Sequence, residues 1–145
     1  MGQSSFSFDI KSTDYSCPLG VSVWYNHTNV LHIEHLTEPT KFSHNFDDDD
    51  EGDHEIRIVM SGKKPEHTIV DDQGNFVSDA LLEFDEFYID NLCVDGLITK
   101  LVEYHHDFNG AGQPTVDKFF KQIGCNGTLI LKFKTPVYLW LLEHM

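Results

Sequence analysis

Phe6-Ser7-Phe8-Asp9-Ile10-Lys11 alternates apolar and polar residues without a break. Successive side chains of an extended chain point to opposite faces, so this is the pattern of a strand with one face buried. The same period returns at Val21, Val23 and Tyr25 after a Pro18-Leu19-Gly20 turn, and apolar character resumes over residues 30–36 beyond the polar Asn26-His27-Thr28-Asn29 stretch. These two segments read as a hairpin. Ile56, Ile58 and Met60 make a further strand. His67-Thr68-Ile69-Val70 and Phe76-Val77 flank an Asp71-Asp72-Gln73-Gly74-Asn75 turn and read as a second hairpin. Leu82, Phe84, Phe87 and Ile89, then Leu92 and Val94, give two more strands, with Asp95-Gly96 as a turn before a strand over residues 97–104. A short helix is expected at residues 116–122, and strands at Leu129, Leu131, Phe133 and at residues 137–142 close the chain.

Eight or more short strands separated by turns, with almost no helix, predict an all-β fold: a jelly-roll-like antiparallel β-sandwich with one short helix. Eleven phenylalanines suit a core filled by large rings from two facing sheets. At 145 residues the chain is expected to form a single domain, residues 1–145, around one core.

Ten Lys and Arg against 24 Asp and Glu leave a net charge of −14, and Arg57 is the sole arginine. That field repels phosphate backbones and anionic lipid, so neither nucleic acid nor membrane is an expected partner. Cys17, Cys93 and Cys125 are odd in number and widely spaced, and are expected to be free, mostly buried thiols. The amino terminus has neither the basic start nor the apolar stretch of a signal peptide, and no apolar run reaches the length of a membrane span.

The densest chemistry is Asp47-Asp48-Asp49-Asp50-Glu51-Gly52-Asp53, with six carboxylates in seven residues. Hard oxygen donors around a flexible glycine suit Ca²⁺, and Asp47, Asp49, Glu51 and Asp53 are the candidate ligands; the bland alternative is a solvated acidic loop. An EF-hand register fails, because Ile58 stands where the bidentate glutamate belongs. A second segment, Tyr104-His105-His106-Asp107-Phe108-Asn109-Gly110, brings imidazoles, a phenol and oxygen donors together before a turn. Tyr104 and His105 are candidate ligand contacts, and Asp107 and Asn109 candidate metal or ligand contacts in a concave site. The His105–Asp107 spacing is also that of jelly-roll iron oxygenases, but a third ligand is wanting, since the only later histidine is His144. There is no GxSxG elbow and no glycine-rich phosphate loop, so the chain is read as not an enzyme.

Trp24 and Tyr25, beside Asn26 and His27, and Tyr138 with Trp140 place aromatic rings next to amide and imidazole groups. Aromatic planes stack on the C–H faces of sugars while polar neighbours pair with hydroxyls, which makes these four rings candidate carbohydrate contacts. The alternative is that both tryptophans belong to the core.

Lys41-Phe42-Ser43-His44, the acidic run, the segment from Asp53 through Glu55-Ile56-Arg57-Ile58-Val59-Met60 to Lys63, Tyr104 to Gly110, and Thr135-Pro136-Val137-Tyr138-Leu139-Trp140-Leu141-Leu142-Glu143 occur in this order. In that wording the chain resembles small proteins of myophages that infect marine cyanobacteria. The resemblance implies synthesis in the host bacterial cytoplasm and possible association with the virion. Phe87-Tyr88-Ile89-Asp90-Asn91-Leu92-Cys93-Val94-Asp95-Gly96 is similar to the late strands of calcium-associated carbohydrate-binding modules. Together these readings make a carbohydrate-binding module with a calcium-ordered loop, directed at a host-surface glycan, the leading expectation. A virion structural or assembly protein, partnered by other virion proteins, is the rival, and the iron oxygenase stands third.

Overall fold

The computed structural model describes residues 2–144. Two antiparallel sheets face one another. The first runs β12 (Gln122–Ile123), β8 (Leu82–Ile89), β1 (Gln3–Ser12), β4 (Thr40–Asp47), with the short β9 (Leu92–Cys93) also paired to β8. The second runs β11 (Thr115–Lys118), β10 (Glu103–His106), β13 (Gly127–Thr135), β5 (Gly52–Ser61), β2 (Gly20–Tyr25), β3 (Thr28–Ile33). A separate hairpin joins β6 (Thr68–Val70) to β7 (Phe76–Asp79). The expected all-β sandwich is therefore what forms, with both expected hairpins in place. Strand β4 adds to the expected set: Phe42 and Phe46 alternate inward, and Phe8 pairs directly with Phe42.

The alternation of β1 buries Phe6, Phe8 and Ile10 against β8 and the opposing sheet. Phe8 sits 5.0 Å from Phe42, 5.2 Å from Phe87 and 5.9 Å from Phe84, between ring centroids. Ile56, Ile58, Met60, Leu129, Leu131 and Phe133 come down from the second sheet, and Phe46 meets Phe133 at 5.3 Å. Removing apolar area from water at roughly 25 cal/mol per Å² is what holds the two layers together.

The helices fall elsewhere than expected. Two form, and neither is at residues 116–122: that segment is β11, then a turn with Lys121 at φ 74°, then the start of β12. Phe119 enters the core while Phe120 is 73% exposed, so the adjacent rings face opposite ways as in extended chain. Helix α1 (Asp95–Leu101) replaces the first part of the strand expected over residues 97–104, and only β10 remains of it. Helix α2 (Val137–His144) replaces the closing strand expected over residues 137–142. Val137, Trp140 and Leu141 are its buried residues, the i, i+3, i+4 spacing of a helix packed on one side. The three thiols are free, but Cys93 is exposed and Cys17 and Cys125 are only half-buried, so the expected buried cysteines are corrected.

One buried cation ties the hairpin to the sandwich. The Lys63 side chain is 1% exposed, and its ammonium donates to Asp79 Oδ1, the Ala80 carbonyl (2.7 Å) and the Gly124 carbonyl (2.8 Å). All three of its protons are thereby satisfied.

Candidate functional site

Strand register builds a face before any side-chain contact is considered. On the outer surface of the second sheet, Ile130 lies opposite Arg57 and Arg57 opposite Trp24, while Lys132 lies opposite Glu55 and Lys134 opposite Asp53. Trp24 points outward because Val23 and Tyr25 take the inward positions, and it is 38% exposed. The β2–β3 turn folds over this face. Asn26 adopts φ 53°, a left-handed conformation that asparagine tolerates. Its backbone N–H donates to the Glu55 carbonyl (2.8 Å), and its side-chain oxygen accepts from Glu55 N (2.9 Å).

Three depressions join along this face. Trp24, Asn26, His27, Arg57, Val59 and Thr128 line the first, of about 360 Å³. It shares Asn26 and His27 with a groove of about 640 Å³ bounded by Asp53, Glu55, Lys132, Lys134 and Trp140. Beyond Asp53 and Lys134 a third hollow of about 370 Å³ reaches Glu51, Leu139 and Glu143. Volumes of this order accommodate small ligands. Arg57 Nε contacts Glu55 Oε2 at 3.2 Å, an ion pair half open to water.

The groove's floor is held from beneath. The Tyr25 hydroxyl lies 2.8 Å from His54 Nδ1, His54 Nε2 lies 3.0 Å from Thr135 Oγ1, and Thr135 Oγ1 donates to the Asp50 carbonyl at 2.6 Å. Burial, reinforced by the nearby Asp47 and Asp48 carboxylates, pushes the Tyr25 phenol up to about 12. His54 stacks on Phe133 at 5.4 Å. His44, 4.9 Å from Tyr25, has its basicity lowered by burial.

The predicted site residues divide accordingly. Trp24 lines the first depression and Trp140 the groove, although Trp140 is largely buried against Phe133 and His144. Tyr25 lies under the floor, between the sheets. Tyr138 is exposed on α2, where its hydroxyl donates to Asp90 Oδ2 at 2.6 Å. His105 shares the outer face, opposite Thr128, with Nε2 3.2 Å from Glu103. Tyr104 points inward, and its hydroxyl donates to the Cys125 carbonyl (2.5 Å) and accepts from Cys125 N (3.0 Å).

The acidic run does link two strands, as β4 ends at Asp47 and β5 begins at Gly52. Asp48 Oδ1 accepts from Val137 N (2.6 Å) at the start of α2, and Oδ2 accepts from Ser4 Oγ (2.9 Å). Asp47 Oδ1 lies 3.4 Å from Gln3 Nε2, and the Asp49 carboxylate rests against Gly2. Glu51 and Asp53 reach the groove. Among the described residues no three His, Cys, Asp or Glu side chains converge as a metal shell. Asp107 and Asn109 do not join the acidic run. Gly127 pairs with His106 at one end of β13 and Thr135 with Gly52 at the other. Eight residue steps of roughly 3.3 Å put about 26 Å between the two segments. There Asp107 Oδ1 accepts from Gly110 N (2.8 Å) and Asn109 Oδ1 from Asn126 N (2.7 Å), within a turn where Phe108 and Asn109 have φ of 58° and 59°. Asp107 lies past the end of β10, so it does not share a strand face with His105 as the oxygenase pattern requires.

Arg57, Glu55, Lys132 and Lys134 were not among the predicted contacts. Their signal is the polar half of two alternating strands, but only the register of β13 on β5 shows that the halves coincide.

Comparison with solved structures agrees on the fold. The chain superposes on the selenomethionine form of vCBM60 with a TM-score of 0.52 at 12% identity, covering 88% of this chain and 89% of that one. It superposes on vCBM60 in complex with galactobiose with a TM-score of 0.50 at 12% identity, covering 88% and 96%. The former is described in connection with two families of calcium-dependent carbohydrate-binding modules linked by circular permutation. No protein-family model and no curated protein matches the sequence.

Proposed function

We propose that the protein binds carbohydrate without cleaving it, in the groove between Trp24 and Trp140. The observation that carries this reading is the half-open Trp24 ring set among an amide, a guanidinium and a hydroxyl in one depression that shares Asn26 and His27 with a larger groove. A ring face and hydrogen-bonding groups on either side of it are what a pyranose needs. The shared fold with a module that has been captured with galactobiose supports the reading. Isothermal titration with galactobiose and a wider glycan array tests it. Trp24→Ala is expected to weaken binding by at least roughly 2 kcal/mol, the loss of a central aromatic anchor. Full affinity in that variant would remove the groove from consideration.

Calcium would require the loop between β4 and β5 to rearrange so that Asp49, Glu51 and Asp53 share an ion. If it does, calcium titration raises Tm and Asp49→Ala or Asp53→Ala abolishes the rise; no shift at millimolar calcium leaves the run a solvated acidic surface. A cyanophage origin, production in the host cytoplasm and a host-surface glycan as target rest on the sequence resemblance alone. The virion-assembly reading is favoured by one observation: Tyr138, Leu139 and Leu142 form an exposed apolar stripe on α2. Light scattering decides it, since a defined oligomer broken by Leu142→Glu would support assembly.

A further inference from the structure

Resting on that reading of the groove, we propose that its ligand is an anionic saccharide. The sugar ring stacks on Trp24, and a carboxylate or sulfate ester on the sugar pairs with Arg57. In a chain of charge −14, the depression around Trp24 is lined by one guanidinium, an imidazole, an amide and a hydroxyl, and by no carboxylate. Arg57 stands directly opposite Trp24 across the β5–β2 ladder, so the two side chains leave the sheet side by side. Neighbours at this spacing, about 5 Å between Cβ atoms, can hold the face and the edge of one sugar ring.

Glu55 Oε2 lies 3.2 Å from Nε as an ion pair and does not close the guanidinium off. A half-exposed guanidinium presents planar pairs of donors suited to a carboxylate or sulfate. Lys132, opposite Glu55, and Lys134 follow on the next strand, and neither has an ion-pair partner within 4.0 Å among the described residues. Glu55 and Asp53 are the nearby carboxylates, and Lys132 and Lys134 stand opposite them across the ladder and offset their charge, while acidic groups beyond a Debye length of about 8 Å are screened.

The test is titration of the whole chain with galactobiose, digalacturonate and a sulfated galactobiose. One anionic disaccharide or both should bind at least about tenfold more tightly than galactobiose, and which one does names the group recognised. Arg57→Gln should reduce that preference to about unity, whereas Lys41→Gln, an equal change of charge on β4, should preserve it. Thermal melting confirms that both variants fold. If galactobiose binds and neither anion gains, or if Arg57→Gln keeps the preference, this inference is overturned while the carbohydrate site stands. If none of the three binds, both fall.

Discussion

Replacing Asp48 by alanine should reveal that one carboxylate of the acidic run works for the fold while its neighbours do not. Asp48 Oδ1 takes the first N–H of α2 and Oδ2 takes the hydroxyl of the buried Ser4, so a single side chain joins β1, the β4–β5 loop and the last helix. The helix-end hydrogen bond is worth about 1 kcal/mol, and the negative charge at the positive end of the helix adds about 0.5 kcal/mol. Leaving the Ser4 hydroxyl without an acceptor costs about 1 kcal/mol more. The total is about 2.5 kcal/mol, which for a chain of this size lowers Tm by roughly 10 °C. Differential scanning calorimetry measures it, with Asp48→Asn retaining an acceptor and losing about half as much. Asp50→Ala should match or exceed the parent, because it removes a carboxylate from a crowded run while the Asp50 carbonyl that Thr135 uses remains. If Asp48→Ala and Asp50→Ala melt alike, the bridging role assigned to Asp48 is wrong.

Lys63→Met should lower stability by about 3 kcal/mol in urea denaturation, since it strands two buried carbonyls and Asp79, which is itself partly solvated; an unchanged midpoint would refute the anchoring role. Alkaline pH should unfold the protein cooperatively. Tyr25 is raised to about 12 and Tyr104 is raised further, both chiefly by burial, so the unfolded chain loses these phenolic protons first. Stability is complete below pH 10 and falls as pH rises through the folded-state values. The phenolate absorbance of two of the five tyrosines should therefore appear late and together with loss of the native circular dichroism signal; smooth titration of all five in the folded state would contradict the buried placement.

The strands were legible where one face is fully buried. Phe6, Phe8 and Ile10 betray β1 because all three side chains are almost wholly removed from water while the residues between them are not. The helices were misplaced because short apolar runs satisfy both periods. Val137, Trp140 and Leu141 carry helical spacing inside a run that is apolar throughout, and a carboxylate 89 residues away completes the helix start. The site was half legible. Trp24 and Asn26 are adjacent in sequence, but Arg57 and Lys132 reach them only through two strand pairings, and pairing is a long-range fact. Asp107 and Asn109 look like ligands in sequence, yet both satisfy backbone N–H groups of their own corner, the common use of such residues in turns.

The chain of contacts beneath the groove has a direction. A carbonyl can only accept, so the one proton of the Thr135 hydroxyl goes to Asp50, and Thr135 must accept from His54. That places a proton on His54 Nε2, while Nδ1 faces the Tyr25 hydroxyl, whose only hydrogen-bond partner among the described residues is this imidazole. His54 is thus held with its Nε2 as a donor, detectable by its nitrogen chemical shifts. The charge of the groove is set by Asp53, Glu55, Lys132 and Lys134 along its walls.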